Sequence, residues 1–337
     1  MRWLSVEYAK SRYYFNEDLL ERVIVYSDFV VFGFGGSEYT LGTGIDVKGA
    51  KLQKHGAVKL SESTYVWPER LTGFWLKADK RPLTFSRYTV PISVSGRQWL
   101  LDGKLRFIDM SDDEPKLFFA KPESIVAIRK KSWMNSYQYA LSHYAVRSFF
   151  VEADRFYDTN DYIYIRRDDK DIKNGFEEFW FRPGAIQAVA IGERIEDIFV
   201  LASGAIIDVT EDVAKEIVKN VNFKRFADNY DEVYVNPDAI SVRLDSEPQS
   251  EHEVKIDRHV IDLKKTNAII VTCDDVTNIH FVLIETCGIL ENVYPWHSRS
   301  IAFMASDRFE AEVVAAKLLD GSEIVELERK KETATTF

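Results

Sequence analysis

The sequence predicts a β-dominated α+β protein built from about six tandem β-meander units, and three observations carry that reading. An aromatic or branched strand repeatedly runs into a proline or acidic anchor and out into an aliphatic position. The anchors fall at positions 17, 68, 122, 183, 237 and 295, which are 51, 54, 61, 54 and 58 residues apart. Aromatic residues make up 13% of the chain, with 22 Phe, 16 Tyr and 7 Trp, as suits pleated and half-buried strands. Glycine-containing turns follow several anchors, flanked by apolar runs of strand length.

In chain order, Tyr14-Phe15-Asn16-Glu17-Asp18-Leu19-Leu20 is the first copy, with glutamate in the proline position. Asp28 to Phe32, a turn at Gly35-Gly36 and Glu38 to Leu41 form its hairpin. Tyr65-Val66-Trp67-Pro68-Glu69-Arg70-Leu71 comes next, followed by Gln98 to Leu101, Asp102-Gly103 and Lys104 to Ile108. Phe119-Ala120-Lys121-Pro122-Glu123-Ser124-Ile125, Trp180-Phe181-Arg182-Pro183-Gly184-Ala185-Ile186 and Tyr234-Val235-Asn236-Pro237-Asp238-Ala239-Ile240 continue the series, and Val293-Tyr294-Pro295-Trp296 is read as the sixth. Proline ends a ladder because it donates no N–H and biases its predecessor toward extended geometry. Asn16 and Asn236 before the anchor, and Asp18 and Asp238 after it, are suited to bonding nearby backbone and holding the bend.

After Pro183 the pattern gives a hairpin, Asp197 to Leu201 and Ala205 to Val209 about Ser203-Gly204, then a helix over about 210–221. Thr210 caps this helix, Glu211 and Asp212 occupy its first turn, and Val213, Ile217, Val218 and Val221 form its apolar stripe. A second helix is expected over about 307–319, with Phe309, Val313, Ala316 and Leu319 toward the core and Gly321 as its stop, before a strand from Glu323 to Leu327. The units are placed at residues 1–60, 61–115, 116–175, 176–228, 229–288 and 289–337, the last divergent and ending in a frayed tail from Lys330. Closure as a propeller-like ring and division into two β-rich domains both satisfy this pattern.

The segment Glu178 to Val221, an aromatic strand, a proline bend, an aliphatic position, a glycine hairpin and a terminal helix, resembles the small FlbD-type flagellar proteins. The resemblance covers one unit in about six and implies a local β-meander-plus-helix. It transfers no functional residue.

A net charge of -10 disfavours non-specific attraction to DNA or anionic membranes. Two cysteines, Cys273 and Cys287, suggest neither a disulfide framework nor a zinc site, so a reducing cytoplasm is expected, a host's if the protein is viral. No run of membrane-span length occurs. No cofactor is expected. Gly33 to Gly36 lies between strands rather than opening a helix, and Gly44 to Lys51 lacks the register and the Ser or Thr of a phosphate loop.

The leading contact surface is the acid-free run from Arg129 to Arg147, with Arg129, Lys130, Lys131, Trp133, Tyr137, His143 and Arg147 as candidate ligands of a nucleotide or single-stranded nucleic acid. Cations interleaved with flat aromatic faces are what stacked bases require. Trp133, Tyr137, Leu141 and Tyr144 also recur at helical spacing, so a buried helix face over about 132–149 competes with that reading. Asp158 and Asp161 are candidate hard-oxygen ligands for Mg²⁺ or Ca²⁺ in a metal-dependent hydrolase, although Arg166, Arg167 and Lys170 nearby favour a charge-balanced hairpin. With no convergent reactive group, the expected function is a non-enzymatic, repeat-built interaction or assembly protein. It would contact a protein partner or copies of itself, and a viral accessory or structural role is compatible.

Overall fold

A computed structural model describes residues 1–34, 37–42, 45–47, 49–59, 63–67, 70, 73–77, 83–85, 88–90, 106–110, 116–120, 125–134, 137–141, 151–153, 161–194, 197–202, 205–227, 232–286, 288–290 and 300–329. The chain begins with the hairpin β1 (Arg2–Tyr8) and β2 (Ser11–Asn16). Sheet I holds β3 (Leu20–Val25), β4 (Phe29–Phe34) and β5 (Glu38–Gly42); then come β6 (Ile45–Asp46) and helix α1 (Gly49–Lys54), before β7 (Val58–Lys59) and β8 (Thr64–Val66) complete the sheet. Sheet II comprises β9 (Gly73–Lys77), β10 (Leu83–Phe85), β11 (Tyr88–Val90), β12 (Arg106–Met110) and β13 (Lys116–Ala120). Sheet III comprises β14 (Ile125–Lys131), β15 (Tyr137–Leu141), β16 (Val151–Ala153), β17 (Ile163–Asp168) and β18 (Phe176–Phe181). Sheet IV has β19 (Ile186–Ile191), β20 (Phe199–Ala202) and β21 (Ala205–Asp208), then helix α2 (Glu211–Asn220), then β22 (Lys224–Ala227) and β23 (Glu232–Val235). Sheet V is built on β24 (Ile240–Leu244), β25 (Glu253–Ile256) and β26 (His259–Asp262). The rest is β27 (Thr266–Cys273), β28 (His280–Thr286), the short β29 (Ile289–Leu290), β30 (Ser300–Ala305), helix α3 (Arg308–Leu318) and β31 (Glu323–Arg329).

Sheets I to IV share one strand order. With the strands of a unit named a to e along the chain, each sheet reads c-b-a-e-d: a meander runs outward from a, and a returning hairpin d-e pairs on its other side. These are small antiparallel meanders of the kind that make propeller blades. Sheet VI repeats the order as β30-β28-β27-β2-β1, so the first hairpin of the chain supplies d and e to strands that begin 250 residues later. Parallel β31 and then β6 extend it beyond β1. Sheet V keeps a, d and e, and among the described residues its a strand carries only β29 on the side where other sheets place b and c.

A shared irregularity shows how closely the units match. The a strands of sheets I, III, IV and VI each shift register at their second residue, between Leu20 and Arg22, Ile125 and Ala127, Ile186 and Ala188, and Thr266 and Ala268. A bulge of this kind breaks the ladder locally. In each case a side chain from the end of strand e, or just beyond it, bonds the carbonyl of the residue before the extra one. Arg70 Nη1 reaches Leu20 O at 3.4 Å, Arg182 Nε reaches Ile125 O at 3.4 Å, Asn236 Nδ2 reaches Ile186 O at 3.2 Å, and Asn16 Nδ2 reaches Thr266 O at 3.0 Å. Buried backbone acceptors need partners, and the anchor motif supplies them.

Between e of one sheet and a of the next lies a single tight turn. Pro183–Ala185, Pro237–Ala239 and Leu263–Lys265 are one-turn 3₁₀ helices, and Leu20 N–H closes the equivalent turn onto Glu17 O at 3.2 Å. Asn16, Asn236 and Asp262 each accept the N–H two residues on, at 3.0 Å. The junction into sheet VI is therefore Asp262-Leu263-Lys264-Lys265-Thr266. Pro295, the expected sixth anchor, lies outside the described residues, as do Pro68, Pro122 and Gln98 to Leu101.

The chain forms two compact units, each holding three sheets. One comprises Met1–Phe34, Glu38–Arg70 and Ser241–Phe337; the other comprises Gly35–Ser37 and Leu71–Ile240. In the first, one core packs sheet VI against sheet I, with Phe15 stacked on Phe32 at 4.4 Å between ring centroids. A second core lies on the other face of sheet VI and includes Trp3, Ile269, Val282 and Ile261, with α3 laid over it through Ala311, Ala315 and Leu318. In the other unit, sheets III and IV share a core with α2, which buries Val213, Ala214 and Ile217. Each large aliphatic or aromatic side chain so enclosed contributes roughly 1.5–3 kcal/mol of transfer free energy.

Three expectations need correction. The segment read as a helix over about 132–149 forms strand β15 at Tyr137–Leu141, because β14 offers it a ladder pairing Lys130 with Tyr137 and Arg129 with Gln138; residues 142–149 lie outside the described set. Helix α3 buries Ala311, Ala315 and Leu318, and of the expected stripe Leu319 is buried just beyond the helix while Phe309, 75% exposed, Val313, 51% exposed, and Ala316 face outward. Small residues let its backbone approach the sheet closely. The unit boundaries drawn from sequence also divide the sheets, since strand e falls after each boundary between the second and fifth units yet completes the preceding sheet.

Candidate contact surfaces

Side chains alternate across a strand, so the register of sheet III sorts its charged residues by face. Lys130, Glu178 and Arg166 lie in one row, on the face that also presents Trp180 and Tyr164. Arg129, Phe179 and Ile165 lie on the opposite face, with Lys131, Glu177 and Arg167 in the adjacent row. Phe179 and Ile165 belong to the core, so this second face points inward. Arg129 donates to Gln138 Oε1 at 2.8 and 2.6 Å, and burial holds its guanidinium below the ordinary arginine range. Glu177, only 3% exposed, takes hydrogen bonds from Arg167 and an ion pair from Lys131 at 3.5 Å.

The structure therefore divides the sequence-predicted ligands. Trp133 stands in the β14–β15 turn, 42% exposed, with Lys131 Nζ 5.4 Å from its ring centroid; Lys130 Nζ lies 4.6 Å from the centroid of Tyr137. These four come together around one hairpin. Arg129 turns inward, and His143 and Arg147 lie outside the described residues. Asp161 is an exposed turn residue, and Asp158 lies outside the described residues. Among the described residues no group of three or more His, Cys, Asp or Glu side chains is placed to hold a metal ion, and no helix is long and apolar enough to cross a membrane.

A buried ionic cluster surrounds the first junction. Glu17 is fully buried, its Oε2 2.9 Å from Arg2 Nε, while its Oε1 has no hydrogen-bond partner among the described residues. Desolvation pushes this carboxyl above the ordinary glutamate range, against the opposing pull of Arg2, His55 and Arg70. Arg22, 1% exposed, pairs with Glu38 and lies 3.5 Å from Glu21. Its guanidinium occupies the space beside Gly33, where a Cβ would come within 2.7 Å of it. Gly33 thus serves close packing of an arginine within strand β4.

One end of sheet VI is the surface that sequence reasoning missed. The register sets Cys273 opposite His280 and His280 opposite Ala305, which brings the β27–β28 turn beside the end of β30 and the start of α3. Val276 is 94% exposed in that turn and Ile279 is 38% exposed. Phe309 and Val313 project from α3, one helical turn apart, and Met304, 76% exposed, lies at the end of the edge strand β30. The available signal was the spacing Ala311, Ala315 and Leu318, a second apolar stripe that competes with Phe309, Val313 and Ala316 for the core.

Comparison of the chain with family models, with curated proteins and with solved structures found no match.

Proposed function

We propose that the protein is a non-enzymatic, repeat-built interaction or assembly protein. The observation that supports this most is the set of large apolar side chains, Val276, Phe309 and Val313, left in water in the β27–β28 turn and on α3. Apolar exposure concentrated at one place on a well-packed sheet is what a contact surface presents before its partner arrives. Several polar and charged side chains, by contrast, are spent on the scaffold: Arg70, Arg182 and Asn236 hold bulged strands, and Arg2, Arg22 and Arg167 lie against the buried carboxylates of Glu17, Glu21 and Glu177. Light scattering of the purified chain, with cross-linking in lysate, tests the reading. A defined oligomer or a cross-linked complex is expected, and a monomer that cross-links to nothing overturns it.

A second reading has its own support in the exposed Trp133 of the β14–β15 turn and in Lys130 set against Tyr137 on the same hairpin, aromatic faces and a cation suited to stacking a base next to a phosphate. It predicts salt-sensitive binding of a single-stranded oligonucleotide, weakened by Trp133→Ala and by Lys130→Glu with the fold retained. Binding that neither substitution changes would remove it.

A further inference from the structure

We propose that the end of sheet VI formed by the β27–β28 turn and the outward side of α3 docks a basic, amphipathic segment of another protein. This rests on the interaction reading above and adds the chemistry of the partner. Val276 and Ile279 in the turn, with Phe309 and Val313 on the helix, give the apolar floor; the residues that bury α3, Ala311, Ala315 and Leu318, lie on its other side.

The rim selects the sign of the partner. Glu7, Asp275 and Glu312 at this end are matched by Arg308 and Lys10: Arg308 lies 3.3 Å from Glu7 and 2.9 Å from Glu312, and Lys10 lies 2.8 Å from Asp275. Asp274, Asp307 and Glu310 are held differently. Val276 N–H donates to Asp274 at 2.8 Å, Glu310 N–H to Asp307 at 2.8 Å, and Ser306 N–H to Glu310 at 2.6 Å. Backbone donors fix the position of these carboxylates and leave their net charge in place, and hydrogen bonding from Val276 and Ser306 keeps Asp274 and Glu310 ionised below their ordinary range. Among the described residues no cation lies within ion-pair distance of the three.

An apolar floor beside three carboxylates that no described cation pairs with complements a segment with apolar residues on one side and Lys or Arg on the other. A second copy is the poorer match, because it would bring the same carboxylates and a net charge of -10 against this rim.

The test uses the full chain and two designed helical peptides of equal length, one of Leu and Lys and one of Leu and Glu, followed by fluorescence anisotropy. The Leu–Lys peptide should bind, weaken at least tenfold between low and high salt, and lose at least tenfold in affinity in the double variant Val276→Ser with Phe309→Ser. Thermal melting of the variant should match the parent, since both side chains lie in water. A milder variant, Asp274→Asn with Asp307→Asn, should lower affinity for the Leu–Lys peptide while leaving the apolar floor intact. Equal binding of both peptides, no binding of either, or binding that both variants leave unchanged would overturn the proposal. A dimer in light scattering that Phe309→Ser dissolves would overturn it too, because the surface would then belong to a second copy. Failure of the peptides while the parent chain still cross-links in lysate would sink only the basic partner. Absence of any complex would sink the interaction reading itself.

Discussion

The junctions that carry proline and those that do not solve the same problem with different groups. At Pro183 and Pro237 the anchor residue has no N–H, and the turn is held by the 3₁₀ bond that follows and, at Pro237, by the Asn236 cap. At Glu17 and Leu263 the anchor keeps its N–H and uses it, donating to Arg2 O at 2.9 Å and to His252 O at 3.0 Å. Both acceptors precede or begin strand d of the same sheet. The proline-free junctions flank sheet VI, whose strands come from both ends of the sequence. Where d-e is not joined to c by a nearby chain segment, a further hydrogen bond ties e's exit to d's entry. Proline is thus a choice between stiffening the bend and bonding across it.

That contrast can be broken by exchange. Leu263→Pro removes the bond to His252 and a buried side chain, so it should cost ~3 kcal/mol or more in urea unfolding. Pro237→Ala, acting through the freedom of the unfolded chain, should cost ~0.4–1 kcal/mol. Comparable losses would show that the two kinds of junction are equivalent. Next in size is Asn16→Ala. Its amide is fully buried and donates to both Leu263 O and Thr266 O at 3.0 Å, so truncation removes two buried hydrogen bonds at a cost on the order of 2–3 kcal/mol, against ~1 kcal/mol for Asn236→Ala.

Glu17→Gln sharpens the comparison through pH. Burial raises the Glu17 pKa in the folded chain above its ordinary value of 4.5, so the native state holds the proton more tightly than the unfolded one. That contribution to stability is fully present below 4.5 and is lost as pH rises through the folded value. Urea midpoints of the wild type should therefore fall with rising pH over that window relative to Glu17→Gln. Parallel profiles would mean that Arg2 offsets the burial completely. The smallest effect is expected at Trp133→Ala, a shift within ~0.5 kcal/mol for a side chain in an exposed turn.

Much of the scaffold was legible because its signals are local. Proline after an aromatic strand, Asn16 and Asn236 before the bend, and Glu211 with Asp212 opening α2 all act within a few residues. The junction at Leu263 was not legible, since its donor is an ordinary backbone N–H and its acceptor, His252 O, lies on another strand. Sheet V also breaks the period: its junction follows the one at Asn236 after only 26 residues, from 236 to 262, because two strands are missing. The Arg129 to Tyr137 segment failed for a related reason. Aromatics spaced for a helix were claimed by a ladder with β14, and only that partner decides between the two. The exposed stripe of α3 was legible as apolar but not as outward, since either of two stripes could meet the sheet.

The composition of sheet VI also sets the timing of folding. In synthesis the hairpin from Arg2 to Asn16 precedes β27, its neighbour in the ladder, which begins only at Thr266. Closing a span of 250 residues carries a large entropic cost before any contact rewards it, which places this step late and makes it slow. Until then Phe15 and Asn16 have nothing to pack against on that side. A nascent chain interrupted in that interval would present an open β-edge to its surroundings, and that is the stage at which a chaperone would have most to protect.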